Sequence, residues 1–459
     1  MTESREVNFS QGSVIRLAEV LGALTYALDI TEGQPQGHSV RCCWIGLQVA
    51  EELGFDEQKT WDLYYTLLLK DLGCSSNAAR ICELYLVDDL SFKKDFKLIN
   101  GSLPQALRFV MSHTGLKSGL AERFRAIINI FQNGGEISRE LIETRCQRGA
   151  DIARKLRFCE AVVNGIRNLD EHWDGSGKPE GKRGSTIPIN SQIALMAQIV
   201  DVFQMSEDED AARKEVANRA GSWFDPHVAA AFHRASARPS FWDALNLVDL
   251  SDAILELEPQ NLNVTVDGDY LDDIAEGFAQ VVDSKSPFTK GHSERVTLFA
   301  DLIAEQMGFS LERRRWLKRA ALLHDIGKLG VSNSILDKPG KLDAEEWISM
   351  RAHAALTETI LSRISVFREL APIAGAHHER LDGKGYPKGL KGSEIAAESR
   401  ILAVADIFDA LTAERPYRAA MPVSQALSIM TQDVGSAIDE RCFEALKTAL
   451  GKINSVLAA

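Results

Sequence analysis

An internal repeat is the feature of this sequence that most restricts its fold. The segment QPQGHSVR around His38 matches PFTKGHSER around His292, and LLLKDLG around Asp71 matches ALLHDIG around Asp325 with the same separation. Two further matches follow in the same order: EHWDGSGKPEG is similar to ERLDGKGYPKG, and SQIALMAQIVDVF is similar to SRILAVADIFDAL. Four matches in one order predict two tandem copies of a single domain.

Helical spacing dominates both copies. Apolar residues recur at intervals of three and four, as in Leu302, Ile303 and Met307, whereas the alternation typical of strands is scarce. We therefore expect an all-α fold built from two tandem helical domains. The polar stretch that follows Glu258-Pro259 predicts a linker, so the expected division is 1–250, a linker at 251–268, and 269–459.

Composition excludes several classes of protein. The 459 residues include 52 lysines and arginines against 65 aspartates and glutamates, and the net charge of −13 offers no broad field for duplex nucleic acid. No apolar run approaches the roughly 20 residues of a membrane span, and the N-terminus lacks the apolar core of a secretory signal. Seven cysteines without a CxxC pair are expected to be reduced. These features predict a cytoplasmic protein.

The histidines of the second copy are concentrated in its motifs. Every histidine after residue 240 lies in one of these blocks: His292, His324, His353, His377 and His378. Together with Asp325 and Asp406 they form a nitrogen and oxygen ligand set without sulfur, which suits iron, manganese, nickel or zinc. Seven ligands exceed the needs of one tetrahedral ion and suit two. Two ions can clamp the attacking and leaving oxygens of a phosphodiester and activate a water, so phosphodiester hydrolysis is the expected use.

Five segments of this copy resemble the successive signatures of a known family. GHSERV, LLHDIGKLGV, RAHAALTETIL, HHERLDGKGYPKGL and ADIFDALTAERPYR are similar to those of HD-GYP domains, which are bacterial metal-dependent phosphodiesterases of cyclic di-GMP. The resemblance covers about 265–440. It implies an HD-type helical fold for both copies, with the second copy an HD-GYP domain.

The resemblance also implies a role for each matching residue. The first metal would be held by His292, His324, Asp325 and Asp406. The second would be held by His353, His377 and His378, with Asp325 as the bridging ligand. Two divalent ions, iron or manganese, are the expected cofactors. Some relatives bind a third metal through a glutamate four residues before the first histidine, but that position here is Phe288.

Catalytic and substrate contacts follow from the same resemblance. Asp325 and Lys328 are the expected catalytic residues, because the Lys328 ammonium can stabilise phosphate charge or protonate the leaving oxygen. The expected substrate contacts are Lys328, Gly385, Tyr386, Pro387, Arg415, Tyr417 and Arg418, since an aromatic ring can bound a guanine and a guanidinium can grip phosphate. Asp409 shares a helix face with Asp406 and is expected to support the ligands or to cap a helix.

The first copy has lost most of these ligands. It keeps His38 and Asp71, but the repeat aligns the following residues with metal ligands: Lys70, Arg148, Leu169, Asp170 and Gln198. Cys74 takes the position of Lys328, and Lys178 takes that of Tyr386. A dinuclear centre is therefore expected in the second copy alone. The first copy is predicted to be a degenerate HD-GYP-like domain with a regulatory, structural or dimer-forming role.

Three functions remain open from the sequence. The leading expectation is hydrolysis of cyclic di-GMP to pGpG or GMP. The first alternative is a phosphodiesterase for a related substrate, such as 3'3'-cyclic GMP-AMP. The second is a non-catalytic cyclic-dinucleotide receptor, or a scaffold that docks a diguanylate cyclase. A cyclic dinucleotide, a GGDEF-type cyclase and a second copy in a homodimer are the expected partners.

Overall fold

The computed structural model describes residues 15–98, 103–116, 118–246, 255–259, 262, 264–414 and 418–457. Over these residues the chain is helical, and its extended contacts are isolated bridges such as Arg16 with Thr265. The predicted all-α class is therefore confirmed. Among the described helices, none combines the length and apolar character needed to cross a bilayer.

Among the described residues, the first half contains twelve α-helices and the second half contains nine. Those of the first half are α1 Leu17–Thr31, α2 His38–Glu52, α3 Glu57–Leu69, α4 Ala78–Tyr85, α5 Asp89–Phe96, α6 Leu103–His113, α7 Leu120–Lys155, α8 Glu160–Arg167, α9 Ile189–Ser206, α10 Glu209–Arg219, α11 Pro226–Ser236 and α12 Pro239–Leu245. Those of the second half are α13 Gly268–Asp283, α14 His292–Gln306, α15 Leu311–Leu323, α16 Asn333–Leu336, α17 Ala344–Ser362, α18 Ala371–Gly375, α19 Ala397–Thr412, α20 Val423–Asp433 and α21 Glu440–Leu457.

Equivalent helices begin with equivalent local signals. Gly37 precedes α2 with φ 85° and Gly291 precedes α14 with φ 69°, a left-handed conformation that glycine adopts without strain. Each glycine places a histidine, His38 or His292, at the first position of the helix. Both halves thus present a histidine in the same local geometry.

The leading helix of each half packs against the other half. Helix α1 contacts the 3-10 turn Ile326–Gly330 and α17, while α13 contacts α7 and the turn Cys74–Asn77. Two side-chain hydrogen bonds join the halves here. Ser75 Oγ donates to the carbonyl of Val281 at 2.6 Å, and the Tyr270 hydroxyl donates to the carbonyl of Leu156 at 2.8 Å. Apolar residues of both halves form one continuous core.

The first predicted boundary, after residue 250, falls outside the described residues, which omit 247–254, 260, 261 and 263. Helix α13 begins at Gly268, next to the predicted start of the second domain. The division at 251–268 stays a prediction.

Candidate metal centre and active site

Five elements of the second half bring the seven predicted metal ligands together. His292 begins α14, His324 and Asp325 follow α15, and Asp406 lies on α19. His353 lies on α17, and the His377-His378 pair follows α18. Most of these side chains are buried, and His378 keeps 26% of its side chain exposed. The cluster therefore lies inside the helical core and opens beside His378.

Asp325 lies between two groups of histidines. Its Oδ2 is 3.3 Å from Nε2 of His292 and 3.4 Å from Nε2 of His324. Its Oδ1 is 3.5 Å from Nε2 of His353 and 3.7 Å from Nε2 of His377. Each carboxylate oxygen thus faces a different group, which is the arrangement that a bridging ligand requires.

The remaining ligand atoms complete two clusters. His292, His324 and Asp406 offer atoms within 4.8 Å of one another, and so do His353, His377 and His378. Asp406 Oδ1 lies 3.4 Å from Nε2 of His292, and its Oδ2 lies 3.9 Å from Nδ1 of His378. The geometry therefore offers two adjacent candidate metal positions.

Backbone carbonyls fix the orientation of three histidine rings. Nδ1 of His324 donates to Ala321 at 2.7 Å, and Nδ1 of His377 donates to Ala374 at 2.6 Å. His353 makes the same bond to Met350 at 2.5 Å. Because a carbonyl only accepts, Nδ1 carries the proton in each ring and Nε2 keeps its lone pair for a metal.

Asp409 orients the fourth ring. Its Oδ2 accepts from Nδ1 of His292 at 2.7 Å, and its Oδ1 accepts from Nε of Arg295 at 2.6 Å. The carboxylate thus aims Nε2 of His292 at Asp325 and Asp406 while Arg295 holds the carboxylate. Sequence reasoning expected Asp409 to support the ligands but did not find Arg295, whose position three residues after His292 puts it on the same helix face.

Orphaned buried atoms support a metal at this place. Nε2 of His292, Nε2 of His324 and Oδ1 of Asp325 are buried without a hydrogen-bond partner among the described residues. Buried polar groups are ordinarily satisfied, so these lone pairs point to a ligand that the protein does not supply. Imidazole nitrogens and carboxylate oxygens suit divalent first-row metals. The residues present therefore fit the two ions.

Burial favours the neutral form of His324, His353 and His377. It lowers the pKa of both His353 and His377 to about 4, and it lowers that of His324 as well. Burial raises the pKa of Asp325, but the neighbouring His324 and Lys328 outweigh it and hold that pKa well below its usual value. At neutral pH these three imidazoles are thus neutral beside an ionised carboxylate. Burial lowers the pKa of His292 too, but its bonds to Asp325 and Asp409 outweigh burial and raise that pKa to about 9.

The predicted loop residues line the open side of the cluster. Nζ of Lys328 lies 2.5 Å from Oδ2 of Asp325. The ring of Tyr386 lies 4.7 Å from that of His378, and the next bond, Tyr386-Pro387, is a cis peptide. A side chain at Gly385 would collide with the backbone of His378, so the loop can approach the histidine only with glycine there.

Of the other predicted substrate contacts, Arg418 lies in the described part of the chain. Arg415 and Tyr417 fall outside the described residues. Arg418 donates from Nη1 to Leu411 at 2.8 Å and from Nη2 to Ala410 at 2.5 Å, so it caps the end of α19. Its role toward substrate stays a prediction.

Arg351 is a residue of this site that the sequence reasoning missed. Its guanidinium lies 5.4 Å from the ring centroid of Tyr386 and 5.5 Å from that of Trp347, and it makes no ion pair with a described residue. Trp347 is 45% exposed. The available signal was the spacing of Trp347 and Arg351, four residues apart on α17 just before His353.

Lysines and arginines occupy the corresponding centre of the first half. Lys70 forms an ion pair with Asp71, and both side chains are fully buried. Lys97 Nζ lies 2.6 Å from Glu32 Oε2, and Arg145 forms an ion pair with Asp170. Candidate metal clusters remain there, such as Glu32, Asp71 and Cys74, but these ammonium and guanidinium groups already neutralise their carboxylates.

The structure corrects one alignment of the repeat. A side chain at Gly73 would collide with the carbonyl of Arg145, as one at Gly327 would collide with that of His353. Arg145 therefore occupies the place of His353, and Arg148, which the sequence aligned there, lies almost one turn further along α7. The alignment failed because α7 has 36 residues and its counterpart α17 has 19.

One support of the catalytic site is conserved between the halves. Nδ1 of His38 donates to Asp201 at 2.6 Å, and Nε of Arg41 donates to the same carboxylate at 2.5 Å. This arrangement matches that of His292, Asp409 and Arg295. The first half thus retains this support, together with His38 and Asp71, but not the other proposed ligands.

The chain is similar to proteins of known activity. It is 53% identical over 434 residues to the 3'3'-cGAMP-specific phosphodiesterase 3 of Vibrio cholerae, which covers 95% of this chain and 94% of the relative. It is 39% identical over 180 residues to the cyclic di-GMP phosphodiesterase response regulator RpfG of Xanthomonas campestris, covering 39% of this chain and 48% of that protein.

A solved structure and a family model agree with these relatives. The crystal structure of a cyclic GMP-AMP specific phosphodiesterase of V. cholerae, V-cGAP3, matches with a TM-score of 0.65 and 47% identity, over 96% of this chain and 98% of that one. The family model described as HD domain matches residues 117–228 and 276–442. The chain therefore belongs to the HD domain family, and its resemblance to HD-GYP proteins is confirmed.

Proposed function

We propose that this protein is a phosphodiesterase that hydrolyses 3'3'-cyclic GMP-AMP. The observation that carries the proposal is the 53% identity, over 95% of the chain, to a relative named for that substrate. The matches to cyclic di-GMP phosphodiesterases are shorter, such as 39% of this chain for the Xanthomonas protein. Cyclic GMP-AMP thus ranks ahead of cyclic di-GMP, which reverses the order expected from the motifs alone.

The ligand set supports an enzyme over a receptor or scaffold. Nε2 of His292 and of His324 are buried without partners, which costs free energy that a metal would recover. A protein that only bound a nucleotide would gain nothing from keeping these atoms unsatisfied. The same reasoning favours two bound ions over an empty cluster, and the nitrogen and oxygen ligands suit iron or manganese.

Each residue of the site has a defined task in this proposal. Two divalent ions, held by the seven ligands, would polarise the scissile phosphate and activate the attacking water. Lys328, beside Asp325, stabilises the developing phosphate charge and can protonate the leaving ribose oxygen. Tyr386 bounds a base at the open side, and Arg351 above that ring attracts a phosphate.

A substrate panel tests the proposal. Metal-loaded protein is incubated with 3'3'-cyclic GMP-AMP, cyclic di-GMP and cyclic di-AMP, and the products are separated by chromatography. The expected result is a kcat/KM for 3'3'-cyclic GMP-AMP that exceeds the other two by at least tenfold. Faster hydrolysis of cyclic di-GMP would overturn the substrate assignment. Binding of every nucleotide without any product would favour the receptor.

A further inference from the structure

A cleft between the two halves lies outside the set of seven ligands. Its volume is about 700 Å³, which is within the range of small-molecule sites. One wall comes from the first half, through Arg80 and Glu83 on α4 and Arg148 on α7. The opposite wall comes from the second half, through the end of α13 and the segment 284–291. Ligand sites occur preferentially at such junctions.

Several charged groups in the cleft already make hydrogen bonds within the protein. Arg80 Nη1 donates to Glu83 at 2.8 Å. Asp283 accepts from the Ser293 hydroxyl at 2.7 Å, and Asp337 accepts from Nδ2 of Asn333 at 2.7 Å. Arg80 therefore neutralises Glu83, whereas Asp283 and Asp337 keep their negative charge because their donors are neutral.

Three charged side chains of the cleft have no hydrogen bond or ion pair with a described residue. These are Arg148, Lys290 and Glu294, which line the cleft and are exposed. Two cations from opposite walls can grip one phosphate between them. One carboxylate can accept from the amino group of a base. Phe288, half-buried in the same lining, offers an apolar ring against which a base can stack.

We propose that this cleft is a second nucleotide-binding site, separate from the metal centre. The phosphate lies between Arg148 and Lys290, the base packs on Phe288, and the exocyclic amino group of the base donates to Glu294. Because the site needs a cation from each half, the bound nucleotide joins the two halves. Its floor includes Gly291, which directly precedes His292, so an occupied cleft also holds the loop that leads into the metal centre.

Calorimetric titration of the metal-loaded full chain with GMP tests this site. Wild-type protein is compared with Arg148→Ala and Lys290→Ala, and with the control Arg139→Ala, which removes another exposed arginine of α7 outside the cleft. Each cleft variant should weaken one class of GMP site by at least about tenfold, because a charge-assisted contact is lost. The control should bind GMP like the wild type.

Two further titrations distinguish the cleft from the metal centre and from a simple anion site. Asp325→Ala, which disrupts the metal centre, should leave the cleft class of GMP sites intact. Loss of all GMP binding in that variant, or unchanged binding in both cleft variants, would overturn the proposal. Inorganic phosphate should bind the cleft at least tenfold more weakly than GMP, and equal binding would show an anion site in place of a nucleotide site. These binding measurements do not depend on which cyclic dinucleotide is hydrolysed.

Discussion

At the scale of single residues, Asp325 and Asp71 are equivalent positions with opposite surroundings. Asp325 faces histidine nitrogens on both of its oxygens, whereas Asp71 is paired with the Lys70 ammonium. The same residue type thus serves a proposed metal bridge in one half and a buried ion pair in the other. Substitutions at the two positions are expected to differ in kind.

Asp325→Ala should abolish metal binding and catalysis. Removing the residue shared by both clusters leaves the two ions without their bridge and exposes their mutual repulsion. We expect at least a thousandfold loss in kcat/KM together with less than half of the wild-type metal content, measured by elemental analysis. Full metal content with unchanged turnover would remove Asp325 from the centre.

Asp71→Ala should leave the metal content unchanged and destabilise the fold. The side chains of Lys70 and Asp71 are both completely buried. The variant therefore leaves the Lys70 ammonium in the core without its carboxylate partner. Breaking a buried pair costs about 3 to 5 kcal/mol, whereas an exposed pair is worth about 0 to 1 kcal/mol. Urea unfolding measures the loss. The double variant Lys70→Met with Asp71→Leu removes both charges and should recover most of it.

His38 should make the stability of the first half depend on pH. Burial and the Lys70 charge lower its pKa from 6.5 to about 4. Between pH 4 and 6.5, His38 therefore binds a proton in the unfolded chain but not in the folded chain. Stability falls as the pH is lowered through this range. The loss is on the order of 3 kcal/mol. Unfolding of His38→Gln should show a correspondingly shallower pH dependence, and an identical slope would contradict this assignment.

Arg351→Ala should affect substrate capture without affecting the metals. The guanidinium lies over Tyr386 at the open side of the cluster but is not a ligand. Losing one phosphate contact should raise KM about tenfold while metal content stays constant. Arg368→Ala, an exposed arginine beyond the end of α17, is the control. An unchanged KM would show that Arg351 does not reach the substrate.

At the scale of helices, sequence reasoning named the seven residues that the structure brings together, and their role as metal ligands stays a prediction. Each ligand lies in a short motif whose local geometry is self-contained, such as the His324-Asp325 pair after α15. The alignment of the two copies failed where equivalent helices differ in length, and it therefore missed Arg145 in the longer helix α7. Sequence reasoning also missed Arg351, because periodicity marks its helix face as solvent-exposed and says nothing of the Tyr386 loop that folds over it.

At the scale of the whole molecule, the two halves are joined through buried polar contacts. Asp89 of the first half accepts from the Lys285 ammonium at 3.3 Å and from the backbone N–H of Asn333 at 2.9 Å. The Lys285 side chain is 1% exposed. Neither this pair nor the packing of α1 and α13 against the opposite half could be predicted from the sequence. The repeat shows which segments the two copies share, but not how the copies pack against each other.

Asp89→Ala should weaken this junction strongly. The substitution leaves the buried Lys285 charge without its carboxylate, which should cost about 3 to 5 kcal/mol. Asp88→Ala is a matched control, because Asp88 only caps α5 and its loss should cost about 1 kcal/mol. Chemical denaturation of both variants measures the difference. Equal midpoints would show that the pair does not hold the halves together.

The lysines and arginines at the centre of the first half affect how the protein responds to metal removal. Those cations are covalently part of the chain, so the first half keeps its charge balance when a chelator strips ions from the second. The second half then carries unsatisfied histidines, but α1 still holds its turn Ile326–Gly330 in place. After chelation, the second half should therefore stay folded against the intact first half. The enzyme should regain activity when metal ions are added back, without refolding from the unfolded chain.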